Sequence, residues 1–433
     1  MTDTPRQNRN LGLPELIAIG VGGMIGGGIF SVLGMAVGLA GHAAPLAFAV
    51  GSVVALVAGY SYIKLALAFR SDGASFTYLE RAFPKRPNIA GIAGWTVIVG
   101  YVGTLALYAF TFGAYGAHLL GGDGGVLRRL LSGGVLVFFM AVNLVGAQAT
   151  GKSEDLIVYT KIILLGIFVV AGIGTISADN LTPVFDHGPA SPFIAGALIF
   201  VAFEGFQLIT NAIVETKDPD RNIPRGIYAS ILVTSLIYVG VAVVALGNLD
   251  AKSLVAAEEY ALAVAAKPAL GNAGAVLVDI AALLATSSAI NATLFGAARM
   301  LAEMATETRV PQAFSLRSRT HVPWAAVVTI TLLGGAFTLL GSLELIATFS
   351  SLTFLLVSLG VSAANLRLRH TTHSLAWIVL AGMGLMTVTI ALLVRHLAAN
   401  QPIVLGAVAA LFAVISVTEI VFFDRTHHGA RDR

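Results

Sequence analysis

Long apolar stretches follow one another along the chain, separated by short polar connections. They lie near residues 12–39, 43–69, 89–119, 130–148, 154–176, 192–215, 226–247, 272–300, 324–341, 344–366, 374–394 and 402–423. A helix needs roughly 20 mainly apolar residues to cross a bilayer, so the pattern predicts twelve membrane-spanning helices. Two of them are interrupted. Span 1 contains Gly22-Gly23-Met24-Ile25-Gly26-Gly27-Gly28-Ile29-Phe30, where each glycine weakens a helix by about 1 kcal/mol relative to alanine. Gly26, Gly27 and Gly28 are consecutive and so cover every face of a helix, unlike the four-residue spacing of close helix packing. Span 6 contains Phe200-Val201-Ala202-Phe203-Glu204-Gly205-Phe206, with a glutamate beside a glycine at mid-depth.

Irregular backbone at membrane depth survives where protein buries it or where it lines a cavity. Spans 1 and 6 lie five apart, and interrupted helices at matching places in two halves point to an inverted repeat with a site at its interface. The expected organisation is a tail at 1–11, a first repeat at 12–176, a second at 177–366, two further spans at 367–423 and a tail at 424–433. The connection at 248–271 mixes Leu254, Ala261, Leu262 and Val264 with Lys252, Glu258, Glu259 and Lys267. That pattern predicts an amphipathic helix over the bundle, either an ordinary surface element or an outer gate.

Charge then fixes an orientation. Nineteen of the 26 Lys and Arg residues fall in the two tails and the even-numbered connections, five in the remaining connections, and Lys64 and Lys161 within spans. Basic residues mark the cytoplasmic side, so both termini are expected there and the short polar start reads as a retained tail. Hydrophobic residues make up 57% of the sequence and charged residues 11%, with a mean hydropathy of +0.85. This composition excludes a soluble globular class. The basic residues lie in loops rather than in a patch, so no nucleic-acid partner is expected. Cysteine is absent, which removes disulfides and thiolate metal sites. No metal or cofactor is called for, and His370-Thr371-Thr372-His373 reads as a basic turn.

The breaks expose backbone groups that can meet charge. A helix start carries four unsatisfied N–H groups and about half a positive charge, so the amides of Gly26, Gly27 and Gly28 are candidates for a carboxylate. Carbonyls at the end of the first half-helix, near Met24 and Ile25, and in span 6 near Phe200, Val201 and Glu204, suit an ammonium. Phe200 and Phe203 are candidates to close over the ligand. Tyr101, Thr104, Tyr108, Asn291, Ser350, Ser351 and Thr353 are candidate wall residues, or else ordinary packing residues. Glu204 is either a local helix cap or a coupling or sensing group. Asp279, early in span 8, is placed near the outer vestibule, and Tyr62 and Lys64 at the inner interface. Glu215 and Arg225 flank a loop where charge pairs would latch an inner gate. Lys161 lies about two turns into span 5. A lysine there costs at least about 3 kcal/mol to insert, so it is paired, functional or snorkelling to the surface.

The chain resembles the amino acid–polyamine–organocation (APC) transporter superfamily, and most closely its prokaryotic proton-coupled amino acid transporters. The resemblance rests on Met24-Ile25-Gly26-Gly27-Gly28-Ile29-Phe30, on Phe203-Glu204-Gly205-Phe206 and on Glu215-Thr216-Lys217-Asp218-Pro219-Asp220-Arg221-Asn222-Ile223-Pro224-Arg225. Ser71-Asp72-Gly73-Ala74-Ser75-Phe76-Thr77-Tyr78 and Gly94-Trp95 support it. It implies an all-α integral membrane fold of twelve helices, with a five-plus-five inverted repeat, broken helices 1 and 6, and two C-terminal helices. It also implies an amino acid substrate moved across the cytoplasmic membrane by alternating access, with proton symport or exchange (of amino acids or polyamines) as the two couplings. Gly27 stands where serine is common, so contact there must use backbone. Val201 stands where some relatives carry an aromatic lid. The resemblance places Lys161 where sodium-coupled relatives bind sodium, held by carbonyls near Gly22 and Ile25 and hydroxyls of Thr286 and Ser287. Cycles of protonation there would couple protons to transport; a fixed cation stapling the spans is the alternative. A membrane enzyme is disfavoured because clustered ionisable motifs are missing, and a channel because two broken helices replace repeated pore elements.

Overall fold

The computed structural model describes residues 11–431 except 72–73, 86, 123–124, 147–150, 307–309 and 319–321. The predicted N-terminal tail through residue 10, together with Asp72, Gly73, Arg86, Arg309, Arg319 and Arg433, lies outside the described residues. Those described form helices and connections, with one isolated bridge between Leu11 and Thr216. In chain order the helices are α1 (Leu13–Met24), α2 (Gly28–Ala40), α3 (Ala44–Phe69), α4 (Ala74–Ala82), α5 (Pro87–Leu119), α6 (Val126–Val145) and α7 (Gly151–Ile173). They continue with α8 (Ser191–Leu198), α9 (Gln207–Asn211), α10 (Pro219–Asn248), α11 (Ala251–Ala256) and α12 (Ala261–Thr306). The last are α13 (Trp324–Leu340), α14 (Leu343–Arg367), α15 (Arg369–Thr372), α16 (Ala376–Asn400) and α17 (Pro402–Arg431).

Eight helical stretches are long and apolar enough to cross a membrane, or nine when the bent pair Ser191–Leu198 and Phe200–Asn211 counts as one. One stretch, Gly28–Phe69, runs through both α2 and α3, and three shorter apolar helices are Leu13–Met24, Trp324–Leu340 and Pro402–Val417. Proline opens several helices, as Pro14, Pro45, Pro192 and Pro219 sit in the first turn of α1, α3, α8 and α10. There its missing N–H costs nothing. Gly146, at φ +81°, caps the end of α6 in the left-handed conformation that glycine adopts freely.

The core and the rim are distinct. The apolar window of Gly91–Leu119 is 89% buried and that of Leu343–Arg367 78%, against 22% for Val126–Val145 and 28% for Leu156–Ile173. α5 and α14 are therefore central, and α6 and α7 face outward with one side. Leu340, Ile403 and Leu236 are among the large apolar side chains left exposed. A surface of that kind needs a hydrocarbon solvent.

Three local expectations change. The predicted helix at 248–271 is divided: α11, then a 3₁₀ turn at Glu258–Tyr260, then the first part of α12. Gly271, at φ +64°, kinks α12 before the long spanning portion. Tyr62 is not interfacial but fully buried, its hydroxyl 3.1 Å from Ser75 Oγ and its ring edge-on to Tyr78 and Phe206. A phenol carries enough apolar area to reward burial once its hydroxyl has a partner. The helical backbone of α17 also runs past the predicted start of the C-terminal tail at residue 424, as far as Arg431.

Candidate substrate site

The first break occupies Ile25–Gly27. α1 ends where Ile25 turns to ψ +50°, its amide still bonded to the Val21 carbonyl at 2.8 Å. α2 restarts at Gly28 behind Gly27, whose carbonyl accepts the Ser31 amide at 2.9 Å and the Ser31 hydroxyl at 2.7 Å. The first amides of α2 have no acceptor within their own helix.

The carbonyls that end α1 are taken by side chains from three other helices. Lys161 on α7 donates to Gly22 O at 3.1 Å and to Ile25 O at 2.9 Å. Tyr108 on α5 donates to Gly23 O at 3.3 Å. Tyr238 on α10 donates to Met24 O at 2.5 Å and to Ala202 O at 3.2 Å. Lys161 is wholly buried. It reaches the break because Val158, one turn earlier on the same helix face, sits against Gly22; a Cβ on that glycine would lie 2.9 Å from Val158 Cγ2.

The second break follows α8. Residues Phe200–Phe206 form a fully buried 3₁₀ segment, and the two halves of the span meet at 52°. Ser351 on α14 bridges the bend. Its hydroxyl donates to Leu198 O and accepts the Val201 amide at 3.0 Å. Phe203 packs edge-on to Tyr238, with centroids 5.3 Å apart, and lies over Gly51 of α3. Glu204 is 4% exposed, and its Oε1 has no hydrogen-bond partner among the described residues.

The breaks touch. A Cβ on Gly205 would lie 2.3 Å from Gly23 C and Met24 N, and one on Gly28 would lie 2.7 Å from Ala202 Cβ. Between them and α5 and α12 remains a cavity of about 10 Å³, room for roughly one water. Gly23, Tyr101, Tyr108, Glu204, Gly205 and Thr293 are among its walls. The Tyr108 ring and Ala289 lie against Gly26 and Gly27. The two breaks are thus shut against each other, with little space between them.

Most of the predicted residues converge here: Gly22, Met24, Ile25, Gly26, Gly27, Gly28, Phe200, Val201, Phe203, Glu204, Tyr101 and Lys161. Thr286 is buried beside Gly27, whose Cβ would lie 3.4 Å from Thr286 Cγ2, and its hydroxyl donates to Ala282 O and Leu283 O within its own helix. Ser287 is half-buried on the same helix. Asn291 turns elsewhere: its Oδ1 accepts Asn143 Nδ2 of α6 at 2.9 Å. Tyr238 and Ala289 were not anticipated from sequence. A tyrosine inside an apolar span was itself the signal, because its hydroxyl needs an acceptor there.

At the opposite end of α1, the Leu11 amide donates to Glu215 O at 3.1 Å and the Lys217 amide to Leu11 O at 2.8 Å. The charge pair in that region joins Arg70 to Asp220 at 2.8 Å and is exposed.

A family model described as amino acid permease matches residues 11–423. The chain is 33% identical over 424 residues to an uncharacterized protein of Methanocaldococcus jannaschii, covering 96% of each chain. It is 32% identical to the inner membrane transport protein YbaT of Escherichia coli, covering 90% of each. It is 27% identical to the branched-chain amino acid permease BcaP of Bacillus subtilis, covering 82% of this chain and 80% of that one.

Proposed function

Because the chain belongs to the amino acid permease family of the APC transporters and is a multi-pass membrane protein rather than an enzyme, we propose that it moves amino acids across the cell membrane by proton symport. Twelve spans, related as two inverted five-helix halves plus two C-terminal helices, carry this out by alternating access, with both termini in the cytoplasm. Spans 1 and 6 open to admit the zwitterion. The amides of Gly26, Gly27 and Gly28 take its carboxylate, where the start of α2 favours an anion and glycine allows close approach. Carbonyls of Met24, Ile25, Phe200 and Val201 are the acceptors for its ammonium. Tyr101, Phe203 and Glu204 stand beside the ligand space, and the named relatives leave its side chain open.

The observation that carries the coupling is the Lys161 ammonium on Gly22 O and Ile25 O. A buried ammonium bound by carbonyls holds its charge through those bonds, and without a proton it would keep a weaker, uncharged hold on the same backbone. Protonation at Lys161, in which Gly22, Thr286 and Ser287 are the proposed coupling partners, thereby sets how firmly α7 grips the end of α1. Exchange is the second reading, in which the same two bonds act as a permanent staple.

The test is uptake of a labelled amino acid into proteoliposomes under an imposed pH gradient. Lys161→Ala is expected to abolish gradient-driven uptake while a ligand-induced thermal shift persists. Full gradient-driven uptake by that variant would overturn the coupling role. Exchange that survives without a gradient, in the unaltered protein, would favour the second reading.

A further inference from the structure

Half-buried His118 and buried Asp279 form a pair that the substrate site does not use. His118 ends α5 and Asp279 lies on α12, and His118 Nδ1 is 3.0 and 2.9 Å from the two carboxylate oxygens of Asp279. Asp279 is 1% exposed. The imidazole also stacks on Tyr260, with centroids 4.5 Å apart and planes 21° from parallel. Tyr260 belongs to the 3₁₀ turn between α11 and α12, and the same turn seats on the outer half of span 1. A Cβ on Gly34 of α2 would lie 2.6 Å from Glu258 O. Beneath this connection Leu254, Ala261 and Leu262 are completely buried. One turn before His118, Tyr115 donates its hydroxyl to Phe30 O at 2.8 Å. A continuous set of contacts therefore runs from the start of α2 to the connection covering this face.

We propose that the His118–Asp279 pair is a proton-binding site that locks the 251–266 connection over the outer vestibule. A carboxylate this buried needs a compensating partner. Neutral His118 offers it one N–H; the imidazolium adds a full charge to that bond and a cation to the Tyr260 stack. Protonation thus favours the seated connection, and by reciprocity seating favours protonation. Tyr115 on α5 and Lys267 on α12 lie near Asp279, and Tyr260 stacks on His118; the same turn carries Glu258 and Glu259, the latter near Arg128 on α6. Lys267 opposes a cation at the pair, and α2 contributes no ionisable side chain. The inference rests on the transporter reading and gives an external proton an entry point separate from Lys161.

The native chain lacks cysteine, so Leu254→Cys alone reports whether the underside of the connection is reachable. Purified protein in lipid nanodiscs is labelled with a polar maleimide at pH about 5.5 and about 7.5. Rates are divided by those of glutathione at the same pH. Labelling is expected to be at least about threefold slower at the lower pH, as protonation favours the seated state. The ratio should collapse towards unity in both His118→Gln and Asp279→Asn. An unchanged ratio in either variant, or no pH effect with Leu254→Cys alone, overturns the proposal. So does loss of the ratio in Lys161→Ala, which would assign the effect to that lysine. Labelling needs no substrate: an intact ratio with no amino acid uptake would refute the transport reading and leave this site standing.

Discussion

Replacing Gly205 by alanine tests whether contact between the two breaks controls the transport cycle. The added Cβ would lie 2.3 Å from Gly23 C and Met24 N and 2.8 Å from Gly23 Cα. Non-bonded carbon atoms rest at about 3.5–4.0 Å, so the second break must retreat from the first by about 1 Å. Both neighbours are backbone and no side-chain rotation relieves the clash. Overpacking of this kind costs about 1–3 kcal/mol. Falling on the shut conformation alone, it slows passage through that state by about 5- to 150-fold. Gly23→Ala is the matched control, because its Cβ would first meet the rotatable end of Leu208 at 2.8 Å and Gly205 Cα at 3.0 Å. The assay is initial-rate uptake into proteoliposomes, with melting of the purified protein beside it. Gly205→Ala should be much slower than Gly23→Ala. Equal, near-native rates for the two would show that the touching breaks do not limit transport.

Gly27→Val would set a Cβ 2.6 Å from Tyr108 Cδ1 and crowd the amides offered to a carboxylate, so ligand-induced thermal stabilisation should disappear; retained affinity would place the site elsewhere. Tyr238→Phe strips the shared donor from Met24 O and Ala202 O, at about 1–3 kcal/mol for each acceptor left buried and unpaired. A lowered melting temperature and slower uptake are expected, and native stability would mean that both carbonyls find other donors. Asn291→Ala removes one of the two acceptors of Asn143 Nδ2 and leaves it only Phe139 O, so it should lower stability while leaving substrate affinity unchanged; a selective loss of affinity would return Asn291 to the pocket.

The breaks were legible because their cause is local. Glycines on every face at 26–28 stop a helix whatever surrounds them, and the interruption lies at Ile25–Gly27. The Phe203-Glu204-Gly205 segment likewise announced the 3₁₀ turn at Phe200–Phe206. Side-chain partners across the bundle were less legible, because they depend on helix rotation that an apolar sequence leaves nearly free. Asn291 is one residue away from Ala292 and two from Thr293, both of which line the cavity, yet it faces Asn143 on α6. Ser351 was anticipated either as a wall residue or as a packing or interhelical hydrogen-bond residue, and it ties the two ends of the second bend together. Gly271 was visible as a residue, but its kink depends on φ +64°, which no hydrophobic pattern encodes.

Four consecutive carbonyls, Gly22 to Ile25, meet donors from α5, α7 and α10. The Tyr238 hydroxyl bridges Met24 O of the first break and Ala202 O of the second. On the proposed reading, a ligand amine competing for Met24 O weakens this link between the breaks. Lys161 grips the carbonyls on either side, at Gly22 and Ile25, so the force it exerts falls on the same turn of backbone. On that reading, a ligand ammonium at Met24 O and Lys161 at Gly22 O act on the same short segment, and the two share Ile25 O. Separate contacts that bias a common two-state element are what a coupling free energy between sites requires.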